Sequence, residues 1–294
     1  MRRGTRLAGP ALVAIVFATA GGRAVIAAPG IDPTARYDID DLLRRHASDL
    51  SNLPTQAAAQ GRPVTFSVDL AGTFTTNAGA SHDPNAAVDT AYVTPAFSVD
   101  VTPVTLSGWN VGGGAQFDAD YYSGSYNNRF GEARAEGFAF ADRPVGPGTL
   151  TTEAIYLGTF NNDYTNHQFN LWIGDLDYGF KLGPVNTDVA AEYQGSEIPE
   201  LRRTRVSTTF AYTVPGKALG YELTLEADAA WSHFDAGADN GRNDVTAAAI
   251  MIASKKLENG WSLDWEGAYV NRGSNRELSR FDALELMGEI GKRF

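Results

Sequence analysis

The sequence predicts an all-β fold, an antiparallel up-and-down barrel of about twelve strands with a short helix before it. From Arg62 onward, apolar and polar residues alternate with a period of two, as in strands that have one apolar and one polar face. These segments recur to residue 294, and the links between them are short and long in turn. No internal stretch reaches the roughly 18 apolar residues of a membrane helix, whereas a barrel strand needs only about ten residues.

Residues 1–20 have the features of a secretory signal peptide and are set apart from the fold. Three arginines come before an apolar run from Leu12 to Phe17, and Ala18-Thr19-Ala20 matches an A-x-A cleavage site. An uncleaved membrane anchor is the alternative, but the run is shorter than a spanning helix requires. We therefore expect export of the chain and removal of this segment.

The mature chain is predicted to be strongly acidic. Removing residues 1–20 takes away three of the 24 basic residues and none of the 35 acidic ones, which leaves a formal charge of −14. Such a chain is a poor partner for nucleic acids, which bind proteins mainly through basic residues. The chain has no cysteine, so disulfides and thiolate metal sites are excluded, and we predict no cofactor.

Residues 21–61 form a separate N-terminal segment that is predicted to contain one amphipathic helix. Aspartates stand at the start of the helical pattern, and Arg44 and Arg45 follow a turn later, as the helix dipole favours. Pro54 ends the pattern, and one helix of this length is marginal in water unless it docks on another surface. The residues at helical spacing are Ile39, Leu42, Leu43, His46, Leu50 and Leu53.

Residues 62–294 are predicted to form the barrel. The alternation is most regular in five segments, which are 64–70, 91–101, 109–121, 221–231 and 261–269. Seven less regular segments complete the twelve predicted strands, namely 129–141, 150–160, 168–182, 185–194, 202–214, 245–256 and 281–294.

Three features favour a transmembrane β-barrel over a half-buried soluble sheet, which alternates in the same way. The apolar faces carry almost no charge in mid-strand, whereas the opposite faces carry carboxylates throughout. The strand number is even, and short links alternate with longer polar ones. The short links lie near 102–104, 183–185 and 257–260, and the longer ones near 76–88, 161–167, 235–244 and 271–277. Aromatic residues gather near strand ends, as interfacial girdles do: Tyr121, Tyr122, Phe160, Tyr164, Phe180, Tyr212, Tyr221, Trp231, Trp261 and Tyr269.

With its signal peptide, repeated alternating strands and final Phe294, the chain resembles the outer-membrane β-barrel proteins of Gram-negative bacteria, porin-like barrels among them. The resemblance implies a location in the bacterial outer membrane and contact with its lipids. It also implies that Phe294 belongs to the signal read by the barrel-assembly machinery. Leu286, Gly288 and Ile290 precede Phe294 at the required alternation, although Lys292 replaces the apolar residue usual at its position. Porin-like barrels often trimerise, so a homo-oligomer is a further implication.

The polar face of the predicted strands would line the barrel lumen with an excess of carboxylates. Carboxylates are costly to bury in a dry interior, so we expect water and counter-ions inside. The resulting hypothesis is a channel for passive diffusion of small cationic or neutral solutes. The acidic residues assigned to the lumen are Asp100, Asp118, Asp120, Glu132, Glu136, Glu153, Asp175, Asp177, Asp188, Glu192, Glu222, Glu226, Asp228, Asp264, Glu266, Glu285 and Glu289. The basic residues opposing them are Arg134, Lys181, Arg203, Arg205 and Arg293.

Two other functions stay open on the sequence. Twelve strands lie between the filled interior of an eight-stranded barrel and the water-filled channel of a larger one. The main alternative is therefore a non-conducting barrel, closed by internal ion pairs, with a structural, adhesion or assembly role. A lipid-modifying enzyme comes third, because His233 precedes a loop but the adjacent Ser232 points to the opposite face. His46, His82 and His167 do not cluster as a transition-metal site requires, so we predict no metal and no enzymatic activity.

Part of the predicted lumen face is apolar and would need a cover. Residues 245–252 are apolar on both faces, so that some apolar side chains must point inward. The inward apolar residues are Ala248, Ile250 and Ile252, with Ile155 and Leu157 on another strand. The N-terminal helix offers Leu42, Leu43 and Leu50 as a plug, and the alternative is that residues 21–61 form a periplasmic tail.

Two further motifs have weaker functional interpretations. Asp235, Asp239, Asn240 and Asp244 are close enough for a calcium-binding loop, but their spacing departs from the EF-hand pattern and favours a solvated loop. Gly112-Gly113-Gly114 lacks the GK[ST] continuation of a phosphate loop and indicates a bend or close packing in the barrel wall.

Overall fold

The structure is a computed structural model that describes residues 63–77, 89–126, 131–161 and 163–294. The predicted signal peptide and the predicted helix with Leu42, Leu43 and Leu50 lie outside the described residues, as do His46 and His82. Among the described residues, no helix is long and apolar enough to span a bilayer.

In the described part of the chain, twelve long strands and one two-residue strand form a single antiparallel sheet. All twelve predicted strands are present, with ends that differ from the prediction by a few residues. The strands are β1 (Val64–Thr75), β2 (Thr90–Leu106), β3 (Trp109–Ala119), β4 (Tyr121–Tyr122), β5 (Glu132–Val145), β6 (Gly148–Asn161), β7 (His167–Leu182), β8 (Val185–Ser196), β9 (Arg203–Thr213), β10 (Glu222–Phe234), β11 (Asn243–Lys256), β12 (Trp261–Ser274) and β13 (Phe281–Arg293).

The sheet closes into a barrel. Each long strand pairs with its neighbours in chain order, and β13 pairs with β1, from Ser67 opposite Arg293 to Thr75 opposite Glu285. The long strands contain 11 to 17 residues, which exceeds the roughly ten residues that a tilted transmembrane strand needs. Closure lets neighbouring strands satisfy one another's backbone N–H and C=O groups, as a bilayer interior demands. The prediction of an antiparallel up-and-down barrel is confirmed.

The links define two ends of the barrel. At the end where β1 begins, here named the turn end, three links contain only two residues: Ser107–Gly108, Gly146–Pro147 and Gly183–Pro184. Gly146 and Gly183 have φ of 58° and 64°, which a type II′ hairpin turn requires at its first central position. The opposite end, named the loop end, carries the links 76–89, 120–131, 162–166, 197–202, 235–242 and 275–280. Short and long links therefore alternate as predicted, except that 214–221 is a long link at the turn end.

Two predicted details of the wall are wrong. The sequence predicts a short link near 102–104, but β2 continues through these residues and turns at Ser107–Gly108. A β-bulge between Val101 and Val104 breaks the regular alternation there, and this break imitates a link in the sequence. Tyr122 was assigned to an outer aromatic girdle but is buried, with its ring stacked 4.7 Å from that of Tyr92.

The outer face of the wall is apolar. Along β1, Phe66, Val68 and Leu70 are 44–49% exposed, whereas the intervening Thr65 and Ser67 are buried. The same alternation puts exposed apolar side chains on the other strands, for example Phe97, Trp172, Val189, Val206, Leu225, Met251, Trp265, Leu286 and Ile290. A continuous apolar surface of this kind is unstable in water and suits the hydrocarbon of a membrane. The opposite side of each strand is named the interior face.

The glycine run in β3 makes room for two phenylalanine rings on the interior face. A Cβ at Gly112 would lie 2.7 Å from Phe140 Cζ, and a Cβ at Gly114 would lie 2.8 Å from Phe138 Cζ. The Gly114 Cβ would also lie 2.5 Å from the carbonyl oxygen of Val99, which belongs to the neighbouring backbone and cannot move aside. The run is a packing feature of the barrel wall.

Candidate functional site

The interior face is the candidate functional surface, because a solute inside a barrel meets this face. The structure places the predicted lumen residues at three levels of exposure. Those almost completely buried are Asp118, Asp120, Glu192, Glu266, Glu285, Arg134, Arg203 and Arg205. Those partly exposed are Asp100, Glu132, Glu136, Glu153, Asp175, Asp177, Asp188, Glu226, Asp228, Asp264, Glu289 and Arg293. The two that are exposed at the turn end are Lys181 and Glu222.

Arg134 forms a compact ion-pair cluster near the loop end. Its Nε donates to Asp118 Oδ1 at 2.5 Å, and its two terminal nitrogens donate to the two carboxylate oxygens of Asp120 at 2.9 and 3.1 Å. Glu132 accepts a further bond at 3.0 Å but is 26% exposed. Thr94 also donates to Asp120, at 2.6 Å. One guanidinium thus balances two buried carboxylates, which a dry site would not tolerate alone.

A second group of ions lies on β8 and β9, also toward the loop end. Arg205 is the direct cross-strand partner of Glu192, and Arg203 Nη2 lies 3.6 Å from Glu192 Oε1. All three side chains are at most 4% exposed. Arg203 is also the cross-strand partner of Phe234. These arginines are therefore held in the wall and are not open to a passing anion.

The structure adds a third group that the sequence prediction missed. Arg242 donates to Asp244 at 2.6 Å and to Asp239 at 2.9 Å, and Arg272 Nη1 lies 3.6 Å from Asp244. Arg242, Arg272 and Asp244 are each about 1% exposed. The prediction of a solvated loop at Asp244 is therefore wrong. The alternation of β11 and β12 could have revealed these residues, since Asp244 and Arg272 continue the interior rows of Ala248 and of Val270.

The link 197–202 narrows the barrel interior at the loop end. Leu201 is 2% exposed and packs with Leu157 and Leu171, two interior residues of β6 and β7. Gln194 Nε2 donates to the Leu201 carbonyl at 2.6 Å, which fixes the link against β8. The three ion-pair groups and this apolar cluster fill much of the interior face in the loop-end half.

The interior face nearer the turn end is dominated by carboxylates. Asp264 and Glu289 are direct cross-strand partners on β12 and β13, and Asp69 lies on the adjoining β1. Two basic residues belong to this group: Arg293 interacts electrostatically with Asp69 and Asp100, and Lys256 interacts in the same way with Asp264. Neighbouring carboxylates repel one another unless cations or protons lie between them. Asp69 is a further interior carboxylate that the predicted lumen list omits, although it follows the alternation of β1.

One region of the interior face is apolar, as predicted for Ala248, Ile250 and Ile252. Seven buried residues on β11, β12 and β13 form this region, which is named the inner apolar patch. Their exposed fractions lie between 0 and 7%. They are Ala248, Ile250, Ile252, Ala268, Val270, Phe281 and Ala283.

One loop at the loop end is anchored by a tyrosine. The Tyr164 hydroxyl donates to the carbonyl oxygen of Asp118 at 2.7 Å, and its ring lies 5.7 Å from that of Phe160. Burial, and after it the charge of Asp118, raises the pKa of Tyr164 to about 12. Beside it, Asp163 accepts hydrogen bonds from the Thr165 hydroxyl and N–H at 2.6 and 3.0 Å, which lowers the pKa of its carboxyl group.

The histidines of the described residues do not form a catalytic or metal-binding arrangement. His233 stacks on Trp231 on the outer face and contacts Asn243 Oδ1 through Nδ1 at 2.9 Å, while Ser232 is buried on the interior face. His167 contacts Asn170 at 2.9 Å. In the part of the chain that the structure describes, no three His, Cys, Asp or Glu residues are arranged to hold a metal ion.

The closed sheet, its apolar outer face and its charged interior define a transmembrane β-barrel of the outer-membrane class. No protein-family model and no curated protein matches the sequence. An outer membrane channel from Pseudomonas putida F1 has a similar fold, with 11% identity and a TM-score of 0.53 over 79% of this chain and 96% of that one. The KdgM porin gives 10% identity and a TM-score of 0.45 over 78% and 99% of the two chains. The translocator domain of the autotransporter NalP from Neisseria meningitidis has 11% identity and a TM-score of 0.47, over 86% of this chain and 98% of that one. The first likeness supports the predicted barrel class at the level of the fold alone.

Proposed function

We propose that the protein is a porin-like channel of the outer membrane, for passive diffusion of small cationic or neutral solutes. The observation that carries this proposal is the arrangement of charge on the interior face. Arg134, Arg203, Arg242 and Arg272 are buried among carboxylates or aromatic rings in the loop-end half. The turn-end half carries many more carboxylates than basic groups.

This arrangement favours cations for an electrostatic reason. Partly exposed carboxylates such as Asp188, Asp264 and Glu289 need water or counter-ions beside them, because isolated charges are costly to remove from water. A lumen lined by acidic side chains raises the local concentration of cations and lowers that of anions. Neutral solutes are not opposed by this field.

A non-conducting barrel is the second candidate, and a specific observation favours it. The ion-pair groups around Arg134 and Arg242, with Leu201, leave the interior residues of the loop-end half almost completely buried. A barrel whose loop end is filled in this way could serve a structural, adhesion or assembly role. The lipid-modifying enzyme is not proposed, since His233 and Ser232 lie on opposite faces of β10.

The test of the channel is the ion selectivity of the protein in a planar bilayer across a salt gradient. We expect conductance steps whose reversal potential has the sign of cation preference. Asp264→Asn combined with Glu289→Gln should move this potential toward zero, because both carboxylates belong to the interior face. Asp282→Asn is the matched control, since Asp282 is exposed on the same strand as Glu289 and lies outside the interior row. Anion preference, or equal shifts in both variants, would contradict the proposed selectivity.

Two partner assignments accompany this proposal. Phe294 would belong to the signal read by the barrel-assembly machinery, and its N–H donates to the Phe66 carbonyl at 2.9 Å beside the seam between β1 and β13. Its ring is 52% exposed, and Lys292 Nζ lies 5.2 Å from it. A homo-oligomer would form through the apolar outer face, within the outer-membrane lipids.

A further inference from the structure

The inner apolar patch is a continuous surface on three adjacent strands. Ala248 faces Val270 across β11 and β12, and Val270 faces Ala283 across β12 and β13. In the next interior row toward the turn end, Ile250 faces Ala268. The patch therefore follows the barrel axis, beside walls that carry carboxylates.

The described neighbours in the wall lie mainly beside this patch, because a barrel wall is one strand thick. Glu266 and Glu285, the cross-strand partners of Ile252 and Ala268, border it. Arg272 does lie over the Phe281 ring, with its guanidinium carbon 4.6 Å from the ring centre, but it reaches only the edge of the patch at the loop end. Ala268 and Ala283 are nevertheless at most 1% exposed. Side chains this short do not fill the space above them, so larger groups must shield them from the lumen.

We propose that residues 38–53 of this chain lie inside the barrel as a helix, with Leu42, Leu43 and Leu50 against the inner apolar patch. The helix would hide its apolar side on the patch and keep its polar side toward the charged walls. Residues 38–53 contain four aspartates and two arginines, so the positive charge that the helix brings to the interior carboxylates is that of Arg44 and Arg45. The occupant is thus complementary to the inner apolar patch in its apolar side.

The chain length permits this position. As a helix, residues 38–53 would be about 24 Å long. The 14 residues of β11, which is tilted against the barrel axis, cover about 35 Å of that axis, so the helix fits within the barrel. The described chain enters β1 at the turn end, next to Pro63. The nine residues 54–62 reach about 30 Å when extended, so the helix can enter the lumen from the turn end.

The position of the helix is independent of the proposed function, whereas its consequence rests on that function. If the barrel is a channel, a helix in its lumen removes most of the cross-section left between the walls. Conductance of the whole chain would then be small or intermittent.

The test of the position uses the absence of native cysteine, because every disulfide then comes from the introduced pair. Leu42→Cys, Leu43→Cys and Leu50→Cys are each combined with Ile250→Cys in the full chain, isolated from outer membranes and oxidised. At least one pair should give a cross-linked band of altered gel mobility that is lost on reduction, since a disulfide needs Cβ atoms about 4 Å apart. The matched control replaces Ile250→Cys by Met251→Cys, one residue away and 52% exposed on the outer face. The control pairs should stay uncross-linked. Failure of all three interior pairs, or equal yields with the control, would overturn the proposal.

Conductance of the same samples separates the two proposals. A variant lacking residues 38–53 should conduct more than the whole chain, and oxidation of the cross-linked pair should hold conductance at its lowest value. Cross-linking without conductance in any sample would support the helix position and contradict the channel. Equal conductance with and without residues 38–53, in the absence of cross-linking, would overturn the helix position and leave the channel intact.

Discussion

Replacement of Arg134 by methionine should strongly destabilise the barrel, because it removes the partner of two buried carboxylates. Methionine keeps much of the apolar volume of arginine but removes the guanidinium that lies between Asp118 and Asp120. These carboxylates are 4% and 1% exposed, so water cannot replace the lost partner without opening the wall.

The structure sets the size of the effect. Three charged hydrogen bonds, of 2.5, 2.9 and 3.1 Å, reach the two buried carboxylates. Removing one partner of a buried ion pair costs about 3–5 kcal/mol, most of it the cost of leaving charge behind in a dry site. The bond to Glu132, which is 26% exposed, adds less because solvent screens it. We therefore expect Arg134→Met to lower the free energy of unfolding by about 3–5 kcal/mol.

The assay is equilibrium urea unfolding in lipid vesicles, followed by the fluorescence of the five tryptophans. Arg143→Met is the control, because Arg143 lies on the same strand but is exposed, 4.7 Å above the Trp109 ring. Arg143→Met should lower the free energy of unfolding by no more than about 1 kcal/mol. Adding Asp118→Asn and Asp120→Asn to Arg134→Met should restore part of the loss, since the amides carry no charge. A free energy of unfolding for Arg134→Met within about 1 kcal/mol of that of the unchanged protein would contradict this role of Arg134, as would a larger loss with the added amides.

Two further predictions concern the wall and one loop. Gly114→Ala should lower the free energy of unfolding by about 1–3 kcal/mol, because the new Cβ would lie 2.5 Å from the Val99 carbonyl oxygen. Gly72→Ala is the control and should be close to neutral in the same urea assay, since no atom lies within 4 Å of its new Cβ. Tyr164, with its pKa raised to about 12, binds its proton more tightly in the folded protein than in the unfolded chain, where the pKa is about 10. The stabilisation that comes from protonated Tyr164 is therefore complete below pH 10 and is lost as the pH rises toward 12. Unfolding measurements across this range should show that this pH dependence is absent from Tyr164→Phe. Absorbance of tyrosinate in the folded protein should likewise show one fewer late-titrating tyrosine in Tyr164→Phe than in the unchanged protein, and identical titrations of the two proteins would contradict the assignment.

The strand pattern and the interior rows follow from the local sequence. An alternation such as Phe66, Val68 and Leu70 against Thr65 and Ser67 predicts both the strand and its two faces, because successive side chains point to opposite sides of a sheet. This rule holds for each strand separately. It correctly predicted the twelve long strands and the inward direction of Ile250 and Ile252.

The alternation failed where the backbone departs from it. The bulge between Val101 and Val104 adds one residue to β2 and none to β3, which breaks the alternation where the sequence predicts that β2 ends. Near the strand ends, polar residues such as Asp244 and Arg272 resemble loop residues, although their strands continue to them. Burial of these charges depends on partners that are distant in sequence.

What the sequence determined by itself was the barrel class, the number of long strands and the side to which most strand residues point, since these depend on a period of two within single strands. Only the tertiary structure decided which interior residues meet, because that depends on the register between strands and on the closure of β13 on β1. Register brings Arg134 between Asp118 and Asp120, gathers the inner apolar patch from three strands, and gathers buried arginines in the loop-end half. The sequence predicted an excess of carboxylates on the interior face. Where these carboxylates gather along the barrel, near the turn end, depends on how the strands are staggered around it.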